Sequence, residues 1–192
     1  MDIKGLKIGI CICGSFCTFK KAIGEFEKLK EKGADLRFIM SYNAAGTDTR
    51  FGRAAEFKNK LREISEKAVI ETLPEAEPIG PENMCDVLVV CPCTGNTLAK
   101  LNNGITDTPV TLAVKSHLRN EKPVVLAIAT NDGLSGNFQN IGQLLNKKNI
   151  YFAPFGQDNS KLKPMSLMAD FSKIEETVSE ALYGRQIQSL LL

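Results

Sequence analysis

The sequence predicts a three-layer α/β/α fold built on a parallel sheet, and three observations carry that prediction. Continuous apolar runs, without alternation, stand at Lys7–Cys13, Asp86–Cys91 and Pro123–Ala129. Such runs mark strands buried on both faces. Stretches with apolar residues three and four apart lie between them, the pattern of helices with one buried face. Polar turns follow the runs, after Cys13, Cys93 and Ala129. Right-handed crossovers bring such strand ends to one edge of a sheet, where ligands bind.

The elements follow in order. Lys7–Cys13 is the first strand, with Gly14-Ser15-Phe16-Cys17-Thr18 as its turn. Phe19, Ile23, Phe26 and Leu29 give the next helix its apolar face, and Gly33 caps it. Ala34–Met40 is the second strand, ending at Ser41. Residues 44–53 read as a loop and Ala54–Ser65 as a charged helix. Ala68–Leu73 is a candidate short strand, and Pro74–Pro81 a rigid connector. After the strand Asp86–Cys91, a helix runs from the Thr94 turn to Asn102, and Asn103-Gly104 ends it. Thr108 then caps a helix that has Pro109 at its first position. Pro123–Ala129 is the next strand, Asn137–Lys148 a helix and Ile150–Ala153 a short strand. Pro154–Pro164 reads as a long loop. Leu167, Phe171, Ile174, Val178 and Leu182 predict a final helix. The C-terminal helix and its apolar tail (165–192) complete one domain over 1–192, with the tail either docked or frayed.

Composition narrows the function. The chain has 192 residues, 43% hydrophobic and 24% charged, the balance of one globular domain. A net charge of +2 argues against nucleic acid or an anionic membrane as partner. With one His, His117, catalysis resting on several histidines is excluded, and no catalytic role is assigned to His117. No apolar run approaches the roughly 20 residues of a membrane span. Lys4, Lys7 and the run Ile8–Cys13 imitate a signal peptide only loosely, because Gly14-Ser15 leads into an amphipathic helix. Six cysteines stand at 11, 13, 17, 85, 91 and 93, with no CxxC pair. Cys11/Cys13 and Cys91/Cys93 each share a strand face, so that four thiols at one sheet edge stand as an alternative Fe–S or zinc site, but the plainer reading is small buried hydrophobes. No metal is expected.

The turns carry the chemistry. Gly14 permits close backbone approach, and Ser15 or Thr18 offers a hydroxyl to a phosphate; an ordinary N-cap is the alternative. Arg50 and Arg53 leave the end of the second strand and suit a carboxylate or phosphate, against the alternative of solvated surface charge.

Pro92-Cys93-Thr94-Gly95-Asn96-Thr97-Leu98-Ala99-Lys100, with Gly104 and Asp107, resembles the P-x-[ST]-x-N-T-x-A-K-x-x-x-G-x-x-D signature of the flavoprotein family. That family includes phosphopantothenoylcysteine decarboxylase, the peptidyl-cysteine decarboxylases and the prenylated-flavin synthases. Thr49-Arg50-Phe51-Gly52, Thr106–Val110, Thr130-Asn131-Asp132, Pro154–Asp158, Gln186-Ile187-Gln188 and the closing leucines are similar to the family's branch of dipicolinate synthase B subunits. The resemblance implies a Rossmann-like, flavodoxin-like fold and an FMN-binding homo-oligomer. It implies a nicotinamide-dependent partner, the dipicolinate synthase A subunit, that carries NADP, and oxidation of a dihydrodipicolinate-pathway intermediate to dipicolinate. The setting implied is the cytoplasm of the mother cell of a spore-forming bacterium. Gly14, Ser15 and Phe16 would hold the phosphate side of FMN, Ser41 would contact it, and Thr94, Gly95, Asn96 and Thr97 would line the rest, with the helix starting at Thr97. Asn131 corresponds to the Asn of the decarboxylases' P-x-M-N motif, which here reads Ile128-Ala129-Thr130-Asn131. Arg50, Arg53, Lys161 and Lys163 are candidates for the substrate's two carboxylates. The second strand is followed by no histidine, where the cysteine decarboxylases keep their base. An FMN-dependent decarboxylase or flavin-modifying enzyme, and a non-catalytic stabilising component, stand as alternatives; the catalytic residue is unassigned.

Overall fold

Burial of continuous apolar runs organises this chain, and its computed structural model describes residues 2–192. In chain order the elements are β1 (Lys7–Ile12), α1 (Phe19–Glu31), β2 (Asp35–Met40), α2 (Tyr42–Gly46), α3 (Ala54–Ser65), α4 (Leu73–Ala76), β3 (Val87–Cys93), α5 (Gly95–Asn103), α6 (Pro109–Arg119), β4 (Val124–Thr130), α7 (Phe138–Leu145), β5 (Ile150–Phe152), β6 (Phe155–Asn159), β7 (Lys163–Ala169) and α8 (Ile174–Leu182). Every residue of β3 is buried, as is every residue of β4 but Thr130, so both strands need a helical layer on each face. Helices α1, α3 and α8 supply one group of contacts, and α4, α5, α6 and α7 the other. Each fully buried Val, Leu or Ile side chain contributes about 1.5–3 kcal/mol.

The strand order is β2-β1-β3-β4, all parallel, and β4 then forks. Its first half, Val124–Leu126, pairs in parallel with β5. Its end, Ala129–Thr130, pairs antiparallel with β7, which pairs with β6. The parallel sheet is therefore observed, with an antiparallel hairpin added at one side.

That hairpin corrects two expectations. Pro154–Pro164 is not a long loop: Phe155–Asn159 is β6, and its turn leads into β7. The last helix begins at Ile174, after a 3₁₀ turn at Phe171–Lys173, so Leu167 belongs to a strand. Leu167 and Phe171 are buried and keep helix-like spacing, but they reach the core from two different elements. Smaller corrections concern the other side of the sheet. Tyr42–Gly46 is helical, with Ser41 as its cap. Of the short strand expected at Ala68–Leu73, a single bridge from Ile70 to Ile39 exists. The connector Pro74–Pro81 holds α4 and a 3₁₀ turn, Glu77–Ile79.

The tail is docked. Phe155 N–H donates to the Leu190 carbonyl at 3.0 Å, and Leu192 N–H donates to the Phe155 carbonyl at 3.1 Å. Gln186 closes the free edge of β5, where its Oε1 accepts from Phe152 N–H at 2.8 Å and its Nε2 donates to the Phe152 carbonyl at 2.7 Å. Among the described residues no helix is long and apolar enough to cross a membrane.

Candidate functional site

The ends of β1, β3 and β4 converge as the sequence predicts. A cavity of about 460 Å³ is walled by Gly14–Thr18 after β1, Thr94–Asn96 after β3 and Thr130–Asp132 at the end of β4. The β6–β7 hairpin closes its far side with Asp158, Lys163 and Ser166–Met168. Phe51 reaches the wall from the segment before α3. A second cavity, about 350 Å³, shares Gly14, Thr94 and Asn96 with the first and adds Ser41, Thr97, Lys100 and Asp107. These volumes suit a cofactor or small-molecule ligand.

The first turn is not capped by a side chain. Ser15 precedes the 3₁₀ turn Phe16–Thr18 but makes no side-chain capping bond. Thr18 instead donates its hydroxyl back to the Ser15 carbonyl at 2.8 Å. The Ser15 hydroxyl is thus not consumed by the turn, and the ordinary N-cap alternative does not hold.

The second turn is an N-terminus with its cap in place. Helix α5 starts at Gly95, two residues earlier than expected, and Thr94 Oγ1 accepts from Thr97 N–H at 3.4 Å. Thr97 in turn donates its hydroxyl to Cys13 Sγ at 3.2 Å, tying this helix to β1. At its other end α5 stops where Gly104 takes φ +71°, a left-handed cap. Lys100 then pairs with both oxygens of Asp107 at 2.8 Å. The Lys, Gly and Asp of the signature are therefore a cap and an ion pair that set the entry to α6. This pairing holds the Asp107 carboxyl below the usual range.

The third turn holds a network that the sequence does not announce. Thr130 Oγ1 donates to Asp132 Oδ1 at 2.5 Å, and Asn137 Nδ2 donates to Asp132 Oδ2 at 2.7 Å. Asn140 Nδ2 donates to Asn137 Oδ1 at 2.9 Å, and Asn102 Nδ2 donates to Asn140 Oδ1 at 3.0 Å. Asn102 also bonds Gln143. The chain of amides runs from the cavity wall between α5 and α7.

The expected residues do not all meet. Gly14, Ser15, Phe16, Thr94, Gly95, Asn96, Asn131 and Lys163 line the larger cavity, while Ser41 and Thr97 line the neighbouring one. Arg50, Arg53 and Lys161 line neither. Arg50 stacks on the Phe51 ring at 4.9 Å, so it touches the site through that ring. Arg53 stands ahead of α3 and its N–H donates to Glu56 at 3.3 Å. Lys161 sits exposed in the hairpin turn. Lys163 is already paired with Asp158 at 2.6 Å.

Neither His117 nor the buried thiols belong to the wall of the larger cavity. His117 is buried in α6, and burial lowers its pKa to about 4. Burial pushes the Cys11, Cys91 and Cys93 thiols well up, and Cys13 and Cys85 to about 11. Thiols so raised are held in the protonated, weakly nucleophilic form. Among the described residues no group of three or more His, Cys, Asp or Glu is placed to hold a metal ion.

Comparisons agree with this geometry. The Flavoprotein family model matches residues 1–181. The chain is 40% identical over 191 residues to the dipicolinate synthase B subunit of Bacillus subtilis, covering 100% of this chain and 96% of that protein. The crystal structure of the dipicolinate synthase B subunit from Bacillus halodurans superposes with a TM-score of 0.91 at 42% identity, over 100% of this chain and 98% of that one. The Burkholderia xenovorans DmrB structure, in complex with FMN, shares the fold at a TM-score of 0.69 and 17% identity, over 93% and 96% of the two chains. The chain belongs to the Flavoprotein family, and its likeness to the dipicolinate synthase B subunits runs from end to end.

Proposed function

We propose that this chain is the flavin-binding B subunit of a dipicolinate synthase. It works with a nicotinamide-dependent A subunit, which carries NADP, to oxidise a dihydropyridine dicarboxylate to dipicolinate during sporulation. The observation that carries this is the single cavity walled by the three strand-end turns, in a chain similar along its whole length to a B subunit. The wall fits FMN in its chemistry. Ser15 offers an uncapped hydroxyl, and Phe16, Phe51 and Met168 offer aromatic and apolar surface for a ring. Gly14, Ser15 and Phe16 would face the phosphate side, Ser41 the neighbouring cavity, and Thr94, Gly95, Asn96 and Thr97 the remainder. When bound, the flavin supplies a two-electron acceptor for aromatisation. Asn131 and Lys163 are the wall residues suited to a substrate carboxylate, Lys163 by exchanging its Asp158 partner; Arg50 contributes through Phe51.

Cysteine decarboxylation, the activity named for structural neighbours such as SpaF, is disfavoured by one observation. The lone histidine is buried in α6, and Ser41 caps α2 at the place where the family resemblance would put a histidine base.

The test is purification after co-expression with the partner, followed by a dipicolinate assay on each component and on the mixture, with and without FMN and NADP. A yellow protein, and dipicolinate from the mixture alone, is the expected result. A colourless chain that gains no flavin on titration removes the cofactor assignment. Full activity from the partner alone leaves this chain a stabilising component.

A further inference from the structure

Asp132 stands apart from every other titratable side chain on the cavity wall. Asp158 and Lys163 neutralise one another at 2.6 Å, and Cys17 lies exposed on a 3₁₀ turn. Asp132 is half-buried, lines the cavity beside Asn131, and is held by neutral donors, the Thr130 hydroxyl and the Asn137 amide. Each of its oxygens accepts one of those bonds, which leaves lone pairs over on both. Among the described residues no lysine or arginine competes for them as an ion-pair partner.

Its orientation is fixed from outside the cavity. Asn137 cannot turn its amide over without losing the bond from Asn140, and Asn140 is held in turn by Asn102. Asn137 and Asn140 are both buried. A carboxylate so braced holds one geometry toward a ligand, as a proton-transferring group requires. Resting on the oxidative reading above, we propose that Asp132 is the base of this site, and that Thr130 and Asn137 are its positioning residues.

The chemistry asks for such a group. Aromatising a 2,3-dihydropyridine removes a hydride and a proton from two adjacent saturated ring carbons. The proton on one carbon passes to an Asp132 oxygen, and the electron pair of that C–H bond becomes the new ring double bond. The hydride on the neighbouring carbon would go to the two-electron acceptor that a bound flavin or nicotinamide supplies. Product release and loss of the proton to water return the carboxylate.

Two variants in the assembled synthase test this. Asp132→Asn replaces the basic carboxylate with a neutral amide of nearly the same volume, and Asp132→Ala leaves room for a small carboxylate. Both are expected to bind dipicolinate within about threefold of wild type by calorimetry. Both should lose roughly 100- to 10,000-fold in kcat, the usual range for general-base loss, with KM little changed. Added formate should restore Asp132→Ala in proportion to its concentration and leave Asp132→Asn unrestored. Turnover within threefold of wild type in Asp132→Asn, lost dipicolinate binding in both variants, or no formate rescue of Asp132→Ala overturns the assignment and leaves Asp132 a brace for its turn. If the wild-type mixture makes no dipicolinate, the synthase reading fails first and takes this proposal with it.

Discussion

A methyl group on Gly95 would lie 2.6 Å from Thr130 Oγ1 and 2.7 Å from Asp132 Oδ1, and hard against Asn137 Nδ2. The first residue of α5 is glycine because the amide network packs directly on it. Gly95→Ala is therefore expected to cost about 1–3 kcal/mol in urea unfolding, the range for overpacking. An unchanged midpoint would mean that the network yields freely. At this scale the sequence was half legible. Gly104 as helix end follows from a local rule and the structure has it there, whereas the helix expected from Thr97 starts at Gly95 with Thr94 as its cap. Asp132 was not legible as a site residue, because its meaning comes from Asn137, Asn140 and Asn102 on two helices. Arg50, Arg53 and Lys161 carry charge that suits a dicarboxylate but line neither cavity, since position in the chain does not say which way a surface side chain extends.

The short strand β5 is an edge for part of its length, and Gln186 acts there as a substitute strand. Its amide takes one bond from and gives one bond to the Phe152 backbone. Gln186→Leu strips both partners while keeping bulk, and should cost about 1–3 kcal/mol, with faster hydrogen exchange at the Phe152 amide. Protection of that amide in the variant would show that the clamp is dispensable. Among elements, the parallel strands were readable because burial on both faces writes a continuous apolar run. The hairpin was not. Its strands are short, β6 is mostly polar and exposed, and Leu167 and Phe171 fall by coincidence into the helical spacing of Ile174, Val178 and Leu182. Periodicity cannot separate a helix from a strand and a 3₁₀ turn that feed the same core.

Across the whole molecule, stability is tied to pH through His117. Burial lowers its pKa from 6.5 to about 4, and its Nε2 has no hydrogen-bond partner among the described residues. The unfolded chain thus takes up a proton near pH 6.5 that the folded chain refuses until about pH 4. The stability this group confers is complete above pH 6.5 and declines as pH falls toward 4, by up to about 3 kcal/mol. His117→Gln is expected to flatten that part of the pH–stability curve, read from urea midpoints at about pH 7 and pH 4.5. Equal slopes in the two proteins would discount the histidine. The layered architecture was the most legible feature of all, since buried runs, amphipathic helices and polar strand ends agree with one another. What escaped was the mixed edge, whose antiparallel pairing with β4 rests on two residues, Ala129 and Thr130.

That slender join in the forked strand divides the cavity walls into two kinds. Three cavity walls are carried by strands that the core cannot release, so drift there is punished by loss of the fold. The fourth joins the sheet through two rungs of a ladder, and its exposed tip can change without disturbing the parallel register, while Phe155, Leu167 and Ala169 stay in the core. Substitution at the hairpin tip therefore reshapes one wall of the cavity and leaves the other three as they are.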